Sequence, residues 1–335
     1  MFKMLSTLLI AIAALSPAAR GVVTVTGDDG LAIPMVNYNI EDLGNNHFNV
    51  TVFGLYNPFG DTVYEIHGNV NDTVDNLIIN VDGPPAASPV IVRVLDIRSV
   101  GNILQTGTGE TILNIVRVTE DIGTITVETI GELLAGRDVT GNIVATTSDN
   151  PDRGITTIKV GINGPGSILG DLSAVNGKIQ NIIAFNGSVG TAANPITIDC
   201  KYNITKLSAD SVHANINTRL NNGPGMINAL RAREFSGSIN TNDLGPTSTA
   251  VLHVAEDFSA TVSIAGSFTG AGKKIQVPEN GFSGQIIFNA DNTTSVWDAP
   301  VHIIQPDPTD PLDETLATII DTLAPSYTNT AAAPG

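Results

Sequence analysis

From about residue 139 onward the apolar and polar positions fall into one recurring pattern: a large apolar residue, Gly or Ala two positions on, and usually Ile or Val four positions on. It occurs as Val139-Gly141-Ile143, Ile162-Gly164-Gly166, Phe185-Gly187-Val189, Val212-Ala214-Ile216, Phe235-Gly237-Ile239, Phe258-Ala260-Val262 and Phe282-Gly284-Ile286. Successive anchors are 23, 23, 27, 23, 23 and 24 residues apart, with Thr191 to Pro195 accommodating the longest coil. Alternation with period two marks a strand with one buried face. A strand that returns every 23 or so residues, with turn residues between, stacks on its own copy in the next coil.

A second strand precedes the anchor in most coils, as in Leu134 to Gly136, Leu207 to Ala209, Leu230 to Ala232 and Leu252 to Val254, and a third apolar stretch such as Ile196 to Ile198 completes several of them. Three short strands and three bends in about 23 residues predict an all-β chain, a right-handed parallel β-helix or β-solenoid. The anchors Phe235, Phe258 and Phe282 should form an internal ladder. The small column Gly141, Gly164, Gly187, Ala214, Gly237, Ala260 and Gly284 should face inward, where a larger side chain would meet the opposite wall. Upstream the register blurs, although Ile66-Gly68-Val70 repeats the anchor pattern.

These patterns divide the chain into residues 1–19 as an export signal, 20–61 as an N-terminal β cap, 62–304 as the solenoid, and 305–335 as a Pro/Asp linker, short helix and disordered tail. The signal rests on Lys3, the apolar Leu5 to Leu15 and the small residues Ser16-Pro17-Ala18. The cap would cover an otherwise open edge. The helix would start at Asp310 and Pro311, with Leu312, Leu316, Ile319, Ile320 and Leu323 on one stripe. Such a chain is expected to be secreted or held at a cell surface, with no membrane insertion once the signal is removed.

Charge then narrows the partners. Lys and Arg total 16 against 33 Asp and Glu, a net charge of −17, which opposes binding to nucleic acid. Aromatic residues make up 5% of the chain, few for stacking on sugars or bases. Cys200 is the only cysteine, so no intramolecular disulfide is available, and its expected role is a small buried hydrophobe. At the outward positions of the anchor strand, among them His213 and Asn215, Ser236 and Ser238, and Ser259 and Thr261, no Asp, Glu, Lys or Arg occurs.

The coil length and the small-residue column resemble the right-handed parallel β-helix proteins exported by bacteria, the architecture that also houses pectin and pectate lyases. The resemblance covers about two-thirds of the chain and is architectural; no lyase or hydrolase signature accompanies it, and no family residue is carried over.

Candidate chemistry is confined to the corner before the anchor, where Asp210, Arg233 and Glu256 stack two positions ahead of it and Glu234 and Asp257 one position ahead. As a carboxylate cluster the corner could bind a cation or perform acid/base work on a polysaccharide. As a charge ladder it would place Arg233 between two acids and let Arg231 or Arg233 neutralise Glu234 and Asp257. The ladder is the expectation, with no catalytic residue, metal or cofactor. The function expected is a non-catalytic structural or surface-interaction protein whose partner is a polysaccharide, a cell-envelope component or another copy. The alternatives are a polysaccharide-active lyase or hydrolase, or a module that binds glycan or ice.

Overall fold

The computed structural model describes residues 22–28, 30, 37–54, 62–81, 89–244, 250–265, 274–276, 283–288, 302–305, 318–320 and 327–329. It is an all-β solenoid of about nine turns, with parallel strands stacked some 23 residues apart. Most coils contribute one strand to each of two stacks, with Ser188–Val189 as a short extra front strand and Met226–Ile227 and Asp243–Leu244 as short extra back strands. The front stack runs through His47–Gly54, Thr73–Val81, Ser99–Gly107, Ile122–Val127, Ile143–Ala145, Leu172–Ala174, Ile196–Cys200, Ser211–Asn217, the latter half of Leu230–Thr241 and Thr261–Ile264. The back stack runs through Thr62–His67, Val90–Ile97, Thr111–Val118, Thr129–Ala135, Gly154–Val160, Lys178–Ala184, Ile204–Ser208, the start of Leu230–Thr241 and Ala250–Phe258.

The repeat builds the core by register. Phe48, Val74, Val100, Ile122, Val139, Ile168, Val189, Val212, Phe235 and Phe258 form one inward column, paired coil to coil and all buried. On the back stack Ile66, Val94, Val116, Leu133, Ile158, Ile182, Leu207, Leu230 and Leu252 form another. Both columns are wholly apolar, and each position packs on its own kind above and below. The Phe235 and Phe258 rings meet edge to face, 5.8 Å between centroids. Phe282 lies outside the described residues.

The anchor column corrects two coils of the sequence register. Ile162 and Phe185 are 49% and 45% exposed, and their places are taken by Ile168 and Val189, which are fully buried. The cause is turn chemistry. Gly161, at φ +76°, sends Ile162 to Gly166 outward as a loop, so the coil from Val139 to Ile168 is lengthened and the next one shortened. Asn186, at φ 47°, makes the corner that leaves Phe185 outside. With Val189 as anchor the 27-residue interval disappears, since Val189 and Val212 pair directly. Leu133, not Leu134, likewise carries the back column.

The small column also divides. Ala214, Ala260 and Gly284 are buried, whereas Gly164 and Gly237 are exposed and Gly141 and Gly187 half-buried. At Gly237 the requirement is for backbone conformation rather than inward space: φ is +110°, and a Cβ would lie 2.2 Å from the Ala214 carbonyl oxygen of the coil below.

The ends differ from expectation as well. Parallel stacking begins at His47, ahead of the expected start at Thr62, because the alternation of Phe48 to Phe53 already belongs to the first coil. The cap is smaller than residues 20–61: Tyr38–Gly44 pairs antiparallel with the first front strand and Thr24–Thr26 with the first back strand. Asn45 and Asn46, both at positive φ, turn the chain between Tyr38–Gly44 and His47–Gly54. At the other end Thr318–Ile320, expected to be helical, is a strand antiparallel to His302–Gln305, and Tyr327–Asn329 pairs with Gln285–Phe288. Thr318, Ile319 and Ile320 are β-branched, which favours a strand over a helix, and they pair with the ladder edge at His302–Gln305. Ile66-Gly68-Val70 is not an anchor triplet: Ile66 is buried in the back column and Val70 is exposed. The export signal, residues 1–19, lies outside the described residues.

The corrected register has a direct test in thermal or urea unfolding. Ile168→Ala should cost about 2–5 kcal/mol and Phe258→Ala about 3–5 kcal/mol, whereas Ile162→Ala should stay within about 0.5 kcal/mol of the parent. Equal losses at Ile162 and Ile168 would restore the regular 23-residue register. Gly237→Ala is expected to cost about 1–3 kcal/mol through its backbone conformation alone, despite the exposure of the site.

Candidate functional site

The corner preceding the anchor assembles as a ladder. Arg233 forks onto Glu256, with Nε and Nη2 each 2.8 Å from a carboxylate oxygen, and its Nη1 lies 3.7 Å from Asp210 of the coil below. The hydrogen bonds it donates to Glu256, the charge of Glu256 and that of Asp210 hold the guanidinium above its ordinary range. Glu234 is register partner to Asp257 and accepts a hydrogen bond from the Ser211 hydroxyl at 3.1 Å. Here the geometry departs from expectation: the Arg233 fork is committed to Glu256, while Glu234 is satisfied by a serine. All five residues lie at the surface, and among the described residues no three His, Cys, Asp or Glu side chains converge to hold a metal ion. An exposed, salt-screened ladder of this type adds little to stability.

Cys200 is fully buried, donates to the Tyr202 carbonyl at 3.1 Å, and has its thiol pushed up by burial. A thiol kept protonated in an apolar interior is a packing group.

The outer surface of the front stack has a different character. By register, one outward column reads Asn49, Asn76, Asn102, Thr124, then Asn142 and Asp171 at the strand entrances, then Thr197, Asn215, Ser238 and Thr261. The next column reads Thr51, Ile78, Leu104, Thr126, Val144, Ser173, Asp199, Asn217, Asn240 and Ser263. The uncharged character seen in the last coils therefore continues along the solenoid, with Asp171 and Asp199 as its exceptions. Its side chains bond along the stack: Asn76 Nδ2 to Asn49 Oδ1 at 2.9 Å, Asn102 Nδ2 to Asn76 Oδ1 at 3.1 Å, Ser238 Oγ to Asn215 Oδ1 at 2.9 Å, and His213 Nδ1 with Ser236 Oγ at 2.6 Å. Outward positions of the back stack carry Glu65, Arg93, Arg117, Glu132, Lys159, Lys206 and Arg231 instead.

Two acids interrupt the front face. Asp171 Oδ1 accepts the Thr197 backbone N–H at 2.7 Å, tying two coils together. Asp199 is pushed above the ordinary carboxylate range by burial and by the charge of Asp171, with the hydrogen bond from Asn217 opposing the shift.

At the N-terminal end the face is concave. A groove of about 500 Å³ opens over the strands carrying Asn39 and Glu41, Asn49 and Thr51, Asn76 and Ile78, Asn102 and Leu104, and Thr124 and Thr126. Ile78 and Leu104 are 37% and 45% exposed. The corner residues had drawn attention in the sequence because they carry charge. The groove was missed because its strands lie upstream of the regular repeat, although the same alternation with Asn outward is visible in Asn49, Asn76 and Asn102.

No family model, no curated protein and no solved structure matches this chain. The resemblance to exported parallel β-helix proteins is one of coil architecture. Among the described residues no helix is long and apolar enough to cross a membrane.

Asp199 supplies a test of the face. Its folded-state value lies above its unfolded one, so the folded protein binds that proton more tightly and the ionised side chain costs stability at neutral pH. The cost fades as pH falls through the folded value and is gone below the unfolded one. Asp199→Asn should therefore melt at or above the parent temperature at pH 7, with the difference vanishing near pH 3. A variant less stable at pH 7 than at pH 3, relative to the parent, would show that the carboxylate is stabilised by its surroundings.

Proposed function

We propose that this chain is an exported, non-catalytic scaffold that presents the front face of the solenoid to an uncharged partner. The observation that carries the reading is the segregation of charge. In a chain of net charge −17, the described ionic side chains lie mainly on the back stack and at the corners, and two adjoining front columns consist of amides, hydroxyls and a few aliphatic groups, interrupted by Asp171 and Asp199 alone. Acidic molecules repel one another and repel anionic surfaces, so the uncharged strip is where close approach costs least. The N-terminal segment, with Lys3 ahead of the apolar run Leu5 to Leu15, supports export. The stacked ladders supply rigidity, and the corner acids, engaged by Arg233 and Ser211, supply structure rather than a reacting centre.

The reading is tested by charging the face along its length. The parent should be retained on insoluble neutral polysaccharide or on cell-envelope material, or should self-associate in sedimentation velocity, and should release no soluble sugar in doing so. The combined variant Asn102→Lys, Asn215→Lys, Ser259→Lys changes three exposed positions and should lose that contact with its melting temperature kept. Thr205→Lys, on the back stack, should behave as the parent. Retention or self-association unchanged in the face variant would remove the proposal, and release of sugar or unsaturated products by the parent would replace it with a polysaccharide-active enzyme.

A further inference from the structure

The groove at the N-terminal end of the front face has a finer structure than the rest of the strip. Glu41 accepts from Asn49 Nδ2 at 2.9 Å, Asn49 from Asn76, and Asn76 from Asn102, so three successive amides are locked in one orientation. A side-chain amide has two N–H donors and two acceptor lone pairs. With one donor used in each ladder bond, and one lone pair used on Asn49 and on Asn76, the inner rungs keep a donor and an acceptor for a ligand. They recur at the coil spacing of about 4.8 Å. Ile78 and Leu104 form a parallel apolar row one position along the same strands.

We propose that this groove binds an extended, uncharged polysaccharide chain lying along the solenoid axis. The inference rests on the reading of the front face as a contact surface and names the partner of one part of it. Three features of the site point to this ligand class. Hydroxyl groups of a sugar both donate and accept, matching the spare donor and acceptor of each amide. The C–H faces of pyranose rings are apolar and suit the Ile78 and Leu104 row. The lining carries no cation to attract a uronate or phosphate, and Glu41 at its end repels one. The volume of about 500 Å³ lies in the range of ligand sites and is open to the surface, as a polymer requires. Because the amides are already held by the ladder, little rotamer freedom is lost on binding.

The full chain is run in native gels containing hydroxyethyl cellulose, galactomannan or xyloglucan, with polygalacturonate as the charged control. At least one neutral polymer should retard it and polygalacturonate should not. Asn76→Ala, which breaks the ladder, and Leu104→Lys, which charges the apolar row at an exposed position, should each weaken the apparent affinity by about tenfold or more, roughly the loss of one good contact. Thr205→Lys, at an exposed position on the back stack, should bind as the parent. If Asn76→Ala unfolds early, Leu104→Lys decides alone. Lack of retardation by every neutral polymer, equal retardation by polygalacturonate, or parental binding by the groove variants overturns the proposal. Loss of binding in Asn215→Lys, on the front face outside the groove, with parental binding by the groove variants, overturns the groove and leaves the contact face standing. A dimer in sedimentation that Leu104→Lys dissolves, without polymer binding, assigns the groove to a second copy and likewise overturns it.

Discussion

The parallel hydrogen-bond ladder between successive coils is the constraint from which the rest follows. It sets neighbouring strands about 4.8 Å apart and in register, so every side chain has a near-identical environment repeated above and below. A residue in such a stack is judged by its column. Inside, columns of Val, Ile, Leu and Phe satisfy one another by burial, and the column from Phe48 to Phe258 needs no variation beyond the size of the ring or branch. Where the ladder has to bend, conformation and not size decides the residue, as at Gly161 and Gly237.

The same rule governs charge. A like charge in consecutive rungs would repel at close range, so ionic residues are found next to opposite ones: Arg93 lies in register with Glu65 and bonds to it at 2.8 Å, and Arg233 stands between Asp210 and Glu256. Glu234 and Asp257 break the alternation, at an exposed corner where solvent screening makes the exception inexpensive. The excess of acid is thereby spread over corners and loops. Asparagine, serine and threonine are free of this restriction, since each can donate to one neighbour and accept from the other. They can therefore fill a column without interruption.

How far the sequence disclosed this architecture depends on which residues carry the signal. From Val212 onward the anchors Val212, Phe235 and Phe258 stand where the pattern placed them, because their coils contain no insertion and each turn is short. Ile162 and Phe185 misled because a loop of Ile-Asn-Gly-Pro-Gly has the spacing and composition of an anchor triplet, and only its backbone conformation distinguishes it. The first coils were hidden by their greater length, since the ladder from Phe48 through Val74 to Val100 advances by more residues per turn than the later one. At the C-terminus the helical stripe through Ile319 and Ile320 read equally well as a strand. An open ladder edge, invisible in the sequence, decides between them. The corner site was legible because charge is rare here, whereas the groove is assembled from Asn49, Asn76 and Asn102, whose meaning appears only once they are stacked.

A column that can repeat without penalty need not be a site, and the bonded amides of the front face would stabilise the solenoid whether or not anything binds them. What separates the N-terminal end from the remainder is the company the amides keep. Farther along, past a half-buried Val144, the neighbouring column turns polar, with Ser173, Asp199, Asn217, Asn240 and Ser263. Over the groove that column is Ile78 and Leu104, half open to water. Structure alone gives no reason for exposed aliphatic groups on a solvent-facing rung where Thr51 and Thr126 occupy the equivalent places on either side. Ile78 and Leu104 cover each other only in part across the ladder, and the aliphatic surface they leave open beside a preorganised polar row is the physical ground for treating this end of the face as a surface shaped for contact.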